Sequence, residues 1–222
     1  MKKIKILSTK ILNENLKEMF DDKKFDLFEH NFIKISSLNF ELPEHNGSWI
    51  FTSQNAVNAV FSISKNINLT FDKIYCVGNN TKSILSKNGQ KVEKTLKNSS
   101  KLANFISKKA KNEKFLFCRS NIKNDDFTAF FKKEKIDLKE IVVYNNKPNS
   151  VVLKNKFEAI MFYSPSGIKS FLKNNKLGNS YCICIGETTA SYAKNYSSNV
   201  LSCKTPSIKH VIDKTIKLFA NE

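Results

Sequence analysis

Four stretches of this 222-residue chain run from an apolar segment into a hydroxyl residue at the start of a helical pattern. The first is "WIFTSQNAVNAVF" at 49–61, with Ser53, and its altered copy is "IMFYSPSGIKSFL" at 160–172, with Ser164 and Ser166. Each is followed about 25 residues later by a second turn, "IYCVGNNTKSIL" with Thr81 and "CICIGETTASYA" with Thr188 and Thr189. A serine before a helix caps it by accepting a backbone N–H, and Pro165 suits the first helical position because its missing N–H is not needed there. A helix start also leaves N–H groups unpaired and carries a partial positive charge, which together suit an anion. Gly78, Gly167 and Gly186 let a ligand or neighbouring backbone come close. Any one such turn is an ordinary cap. Four, two per half of the chain, form a set of N–H and hydroxyl donors for an anionic ligand. Nucleotide binding is unsupported, because neither a Walker lysine loop nor a GxGxxG fingerprint is present. No histidine lies near these turns in sequence, so no Ser-His-Asp set is evident. Chemistry at such a site rests on positioning and hydrogen bonding.

The elements that hold these turns alternate short β-branched runs with longer amphipathic ones. Strands are expected at Ile4–Leu7, Phe32–Ile35, Trp49–Thr52, Ile74–Val77, Phe115–Cys118, Leu138–Val143, Ala159–Tyr163, Cys182–Ile185 and Val200–Cys203. Helical faces are expected through Leu102, Phe105 and Ile106, and through Ile208, Val211, Ile212, Ile216 and Phe219. Short buried strands separated by helices imply parallel βαβ sheets, whose ligands sit beyond the carboxyl ends of the strands. The four turns therefore share that edge. The repeat is regular: Ser53 and Ser164 are 111 residues apart, Gly78 and Gly186 are 108 apart, as are Thr81 and Thr189. "IKILSTK" at 4–10 also matches "FLFCRSN" at 115–121 weakly. Two polar breaks, "ISSLNFELPEHNG" at 35–47 and "YNNKPNS" at 144–150, read as crossovers between lobes. The middle of the chain then forms one lobe. The N-terminal strand and helix join the C-terminal third to form the other.

The formal charge is +17, from 36 lysines and the single arginine, Arg119. A solvated lysine-rich surface following compositional bias is one reading; attraction to nucleic acid or to a polyanionic small molecule is the other. The lysines are scattered through every helical segment, and no RNA-binding or zinc-finger signature is present. Phe51, Phe61, Phe117 and Phe171 read as core rather than as stacking platforms, which speaks against nucleic acid. Cys76, Cys118, Cys182, Cys184 and Cys203 are odd in number and without small-scaffold spacing. They read as reduced thiols of a cytoplasmic protein. Cys182 and Cys184 should face one side of a strand as small hydrophobes. His30, His45 and His210 lie in unrelated segments, so no metal is expected. No apolar run approaches the ~18 residues of a membrane span, and "MKKIKILSTK" lacks the apolar stretch of a signal peptide.

Taken in order and spacing, "IFTSQNAVNAVF", "VGNNTKSIL", "EIVVYNN", "MFYSPSGIKSF" and "IGETTASYA" resemble the signature segments of the uroporphyrinogen-III synthase family, across roughly residues 47–195. The resemblance implies an α/β fold of two similar lobes, each a parallel sheet flanked by helices, joined by a two-stranded linker with a cleft between them. It places residues 1–36 and 148–222 in one lobe and 40–145 in the other, with linkers at about 36–40 and 144–148. It implies a cofactor-independent enzyme, a lyase acting on hydroxymethylbilane, a linear tetrapyrrole with eight carboxylates. Water is lost, the last pyrrole ring is inverted and the macrocycle closes. A monomer is expected, with a small-molecule substrate and no nucleic-acid or membrane partner. Tyr144 in "EIVVYNN" matches the family's tyrosine near the second linker. An ordinary phenol, with a pKa of about 10, keeps its proton at neutral pH and can donate to the departing hydroxyl. The alternative is a tyrosine that packs in the linker.

Ser53, Thr81, Ser164 and Thr189 match the family's binding hydroxyls, with Ser166 and Thr188 as close rivals. The chain departs from the family near the end of the first strand, where many relatives carry Arg and this sequence has Thr9-Lys10. Lysine is a point charge that cannot grip a carboxylate through two parallel bonds. Lys10 and Arg119 remain candidate substrate contacts or surface residues. The competing function is a two-lobed, non-catalytic binder of a polyanionic small molecule.

Overall fold

A computed structural model describes residues 2–63, 69, 71–122 and 125–220. The chain divides into two compact units, a split unit of Met1–Lys34 with Lys147–Glu222 and a continuous unit of Ile35–Asn146. In chain order the elements are β1 (Ile4–Ser8), α1 (Glu14–Lys17), β2 (Phe25–Glu29), β3 (Ile33–Ser37), β4 (Ser48–Phe51), α2 (Gln54–Ile63), β5 (Ile74–Val77), α3 (Asn79–Lys87), β6 (Lys94–Leu96), α4 (Ser99–Lys109), β7 (Phe115–Ser120), α5 (Asp125–Lys133), β8 (Leu138–Pro148), β9 (Ala159–Phe162), α6 (Pro165–Phe171), β10 (Tyr181–Cys184), α7 (Glu187–Ala193), β11 (Val200–Ser202) and α8 (Ile208–Leu218).

The split unit holds a sheet of order β2-β1-β9-β10-β11, and the other sheet has the order β3-β8-β7-β4-β5-β6. Within these sheets the pairs formed by β1, β2, β9, β10 and β11, and by β4, β5, β6, β7 and β8, are parallel. Apart from β3, the two orders coincide when β2, β1, β9, β10 and β11 are matched to β8, β7, β4, β5 and β6. One template is thus used twice. The chain starts the split unit with two strands, builds the continuous unit whole, and returns to finish the first. It crosses between units within β3 and within β8, which are neighbours in the sheet.

The ladder registers refine the repeat. Ile160 lies beside Leu7, and Trp49 lies beside Leu116. Leu7 therefore matches Leu116, two residues away from the alignment of "IKILSTK" with "FLFCRSN" read in the sequence. Lys10 then matches Arg119. Glu29, opposite Ser8, matches Glu140, opposite Phe117.

Every residue of β4 and β9 is buried, as the runs SWIF and AIMF require of strands covered by helices on both faces. In the continuous unit, α2 lays Ala56, Val57 and Val60 on Trp49, Phe51 and Leu116. The opposite face takes Leu102 and Ile106 of α4 and Phe127 and Phe131 of α5 against Ile50, Phe115 and Phe117. In the split unit, Ile168 and Phe171 of α6 and Ala190 of α7 cover Leu7, Ile160 and Phe162. The stripe Val211, Ile212 and Phe219 of the α8 segment covers Ile6, Met161 and Ile183. Ser207 caps α8 by accepting from the His210 N–H at 3.1 Å.

β2 (FDLFE) and β6 (KTL) are absent from the strands expected on sequence. Both are sheet edges. An edge needs apolar cover on fewer sides and carries charge that discourages further pairing, so no apolar run announces it.

At the amino-terminal edge of the second sheet, Glu113 accepts from Ser48 Oγ at 2.5 Å, Lys73 Nζ at 2.6 Å and Tyr75 Oη at 3.0 Å. Burial pushes its pKa up, but the bonds from Lys73, Ser48 and Tyr75 outweigh this and hold the carboxyl below its usual range.

Candidate functional site

In each parallel sheet the carboxyl ends of the strands share one edge, and the four hydroxyl turns lie there. In the continuous unit these are the β4–α2 and β5–α3 junctions; in the split unit they are β9–α6 and β10–α7. Ser53, half-buried, begins α2. Its Oγ accepts from the Asn55 N–H at 3.2 Å and from the Tyr144 hydroxyl at 3.2 Å. Two accepted bonds use both lone pairs, so the serine's own proton is left to be donated elsewhere. In the next turn Gly78 caps α3 with φ 82° and ψ 146°, a conformation essentially confined to glycine. Thr81 lies three residues on, 4% exposed, while Asn79 and Asn80 are exposed.

Tyr144 reaches Ser53 through a break in register. β7 and β8 pair regularly from Phe115–Leu138 to Arg119–Val142, after which Ser120 pairs with Tyr144. Val143 is one residue too many. In an unbroken strand Val143 and Tyr144 would point to opposite faces. Here both belong to the core beneath α2, with Ile141 packed beside it. The bulge thus turns the Tyr144 ring from the α4–α5 face to the α2 face, where its hydroxyl meets the start of that helix.

Arg119 closes its charge within its own unit. Its Nε lies 2.5 Å from Glu140 Oε2, and its Nη1 donates to the Ser120 carbonyl at 2.8 Å. The Thr128 hydroxyl donates to the same Glu140 carboxylate. Lys10, at the matching place after β1, is exposed. Its loop is pinned from below, since Ser8 Oγ donates to the Lys10 carbonyl and lies 3.1 Å from the Tyr163 hydroxyl. Burial drives the Tyr163 pKa well above the usual tyrosine range despite the opposing bond from Ser8, so the group stays a phenol. Glu29, the match of Glu140, accepts from the Leu12 N–H at 2.7 Å and pairs with Lys17 at 3.2 Å.

In the split unit Ser164 is the N-cap of α6. Its Oγ accepts from the Gly167 N–H at 3.1 Å and lies 3.0 Å from Ser166 Oγ, with Pro165 at the first helical position. Both hydroxyls are half-buried. Gly186 begins α7 with an extended backbone; Thr188 is exposed and Thr189 is 4% exposed. Ser53, Ser164, Ser166 and Thr188 therefore reach the surface of their rims, whereas Thr81 and Thr189 lie beneath theirs.

This arrangement supplies neutral hydrogen-bond donors. Among the described residues no group of three or more His, Cys, Asp or Glu is placed to hold a metal ion. The five cysteines are buried and free. Burial pushes Cys182 up to about 11 and Cys184 up to about 12, so both remain thiols; they face the same core. No described helix is long and apolar enough to cross a membrane. A concavity of about 1140 Å³ in the split unit, lined among others by Lys156, Glu158 and Tyr181, opens at the starts of β9 and β10, away from the turns. Sequence reasoning missed Tyr163, Glu140 and the bulge. The only signal for the last was the run Ile141-Val142-Val143-Tyr144, which lacks alternation.

A family model described as uroporphyrinogen-III synthase HemD matches residues 14–213. The solved uroporphyrinogen-III synthetase of Helicobacter pylori superposes with a TM-score of 0.67 at 21% identity, over 97% of this chain and 99% of that one. A mutant uroporphyrinogen III synthase from the extremely thermophilic bacterium Thermus thermophilus gives 0.72 at 9% identity, over 97% and 98%. At these identities both likenesses concern the fold. A curated porphyrin biosynthesis protein HemD of Ruminiclostridium josui is 27% identical over 118 residues, which are 48% of this chain and 23% of that protein. The match takes in about a quarter of that relative's length.

Proposed function

The chain belongs to the uroporphyrinogen-III synthase family, and from that premise we propose that it closes hydroxymethylbilane to uroporphyrinogen III, with inversion of the last pyrrole ring and loss of one water. The observation that carries the reading is the Tyr144–Ser53 hydroxyl pair at 3.2 Å on the carboxyl edge of a parallel sheet. It sets a phenol proton beside a capped helix start, where an oxygen that gains charge can be stabilised.

The substrate's carboxylates are taken by neutral donors: Ser53 in the continuous unit, and Ser164, Ser166 and Thr188 in the split unit. Thr81 and Thr189 support the turns from beneath. Neutral donors hold carboxylates without leaving fixed charges to be desolvated when no substrate is present. Lys10 adds one flexible charge, and the net +17 draws a polyanion inward in a salt-dependent way. Arg119, already paired with Glu140, acts in the same field with its charge largely compensated.

The reaction begins as the nitrogen lone pair of the first ring pushes out the hydroxymethyl oxygen. The C–O bond breaks, the Tyr144 phenol delivers a proton and water departs. The substituted carbon of the last ring attacks the cationic methylene, forming a spiro intermediate. One bond of that centre breaks and recloses with the ring turned over. Loss of a proton then restores the aromatic pyrrole and returns the phenol, so the sum is one water lost. Closure without inversion is the easier competing path. The protein's contribution is chiefly orientation. The reaction as written needs no cofactor, and a monomer suffices for it.

The test supplies enzymatically generated hydroxymethylbilane, oxidises the products and resolves the uroporphyrin isomers. Predominant type III is the expected result. Type I at the spontaneous rate would leave a binder of polyanions without turnover.

A further inference from the structure

The bulge that aims Tyr144 is bracketed on both sides by one continuous set of bonds. Before it, Glu140 on β8 holds Arg119 of β7 through Nε at 2.5 Å. Arg119 Nη1 then donates to the Ser120 carbonyl at 2.8 Å. Ser120 Oγ accepts from the Ile122 N–H at 3.2 Å and donates to the Ile122 carbonyl at 3.3 Å, so the turn after β7 is closed on itself. From the middle of that turn Asn121 reaches back to β8. Its N–H donates to the Tyr144 carbonyl at 3.1 Å, and its Oδ1 accepts from the Asn146 N–H at 2.7 Å. One residue thus fixes the strand immediately after the extra Val143. A strand with a surplus residue can discharge it by slipping by one, which would return Tyr144 to the opposite face. The two bonds of Asn121 oppose that slip. In the split unit β2 pairs with β1 in unbroken register from Ile4–Phe25 to Ser8–Glu29, and beyond it Asn31 Oδ1 accepts from the Ile11 N–H at 2.9 Å, with no surplus residue to hold.

We propose that Asn121 is a positioning residue for the reaction: it locks the bulge in β8 and so holds the Tyr144 hydroxyl at Ser53. The inference rests on the proposed function, since it assigns the phenol a part in turnover. The side-chain half of the clamp is what mutation can remove. Asn121→Ala deletes the acceptor for the Asn146 N–H, whereas Asn121→Asp keeps an acceptor of the same length.

The experiment measures kcat and KM for type III formation in the wild type, Asn121→Ala, Asn121→Asp, Tyr144→Phe and the Asn121→Ala/Tyr144→Phe double variant. The emission of Trp49 serves as a check of folding. Asn121→Ala is expected to lose about tenfold in kcat with KM within about twofold, because a phenol displaced by an ångström loses its geometry. Asn121→Asp should stay within about twofold of the wild type, and the double variant should be no slower than Tyr144→Phe. Losses that multiply in the double variant, or an Asn121→Ala enzyme as fast as the wild type, would overturn the inference while leaving the function standing. A wild type that yields only type I would overturn the function and take this inference with it. Should Asn121→Ala fail to fold, Asn121→Ser replaces it. The serine is too short to reach Asn146, so it must lose turnover where Asn121→Asp keeps it; equal rates for those two variants would refute the clamp.

Discussion

In the split unit β2 runs beside β1 without interruption, from Ile4–Phe25 to Ser8–Glu29. In the continuous unit β8 follows β7 only as far as Arg119–Val142 and then slips by one residue. The rims built on these sheets differ accordingly. The split unit offers Ser164 and Ser166 on one turn and Thr188 on the other, with exposed Lys10 beside β1, while its Tyr163 phenol meets Ser8 and packs with the α8-side core. The continuous unit offers Ser53 joined to a buried phenol, and its one guanidinium is compensated by Glu140. The duplicated template supplies donors in both places. A single surplus residue in one edge-side strand is what brings a phenol to the helix-starting serine of one of them.

Paired substitutions at matching positions sharpen this contrast. Phe51 and Phe162, both wholly buried in matched central strands, should each cost about 3–5 kcal/mol when cut to alanine. Trp49 is the only tryptophan and lies in the continuous unit's core, so its emission reports that unit directly. Denaturant titrations followed by Trp49 should shift strongly for Phe51→Ala and much less for Phe162→Ala, if each unit rests on its own core. Equal shifts would show one shared cooperative transition.

The next largest contrast lies at the helix-starting glycines. Gly78 has φ 82°, so Gly78→Ala should cost about 1–3 kcal/mol. Gly186 is extended, and an added Cβ would meet Pro206 Cγ at an ordinary 3.5 Å. Gly186→Ala should therefore stay within about 1 kcal/mol of the wild type by calorimetry. Ser164→Ala removes an N-cap bond and should cost about 1 kcal/mol. Ser53→Ala, in addition to a cap, removes the partner of Tyr144, so it should lower kcat more than Ser164→Ala does. Equal kinetic losses would break the distinction between the rims.

The smallest effect is a pH dependence in the continuous unit. Glu113 is held below its ordinary value of 4.5 in the folded state. Its contribution is thus fully present above that value and fades as pH falls through the lower, folded one. Acid titration of Trp49 emission should show stability declining below about pH 4.5, and Glu113→Gln should flatten that decline. An unchanged slope would remove Glu113 from the account.

Much of this architecture could be read from residue order alone, for identifiable reasons. Runs such as SWIF, IYCV and AIMF are buried on both faces and declare themselves as central strands. The four turns were visible because a hydroxyl or glycine must follow such runs where a helix begins. β2 and β6 were not visible, since short charged edge strands share their composition with loops. The pairing of Arg119 with Glu140 links residues 21 apart across a ladder, and only the register brings them together. Tyr144 stood out in the sequence, but the face it takes depends on the extra Val143, which no periodicity fixes. The burial of Thr81 and Thr189 follows from their place in the first helical turn, where the third residue faces the sheet rather than the rim.

The most direct measurement is the single-turnover rate of type III uroporphyrinogen formation by Tyr144→Phe at saturating substrate, beside the wild type and with Trp49 emission recorded. The expected result is a loss of about tenfold or more with the emission unchanged, since only the phenol proton has been removed. A rate equal to that of the wild type would mean that the broken register of β8 serves packing alone, and the chemical distinction between the two units would fall.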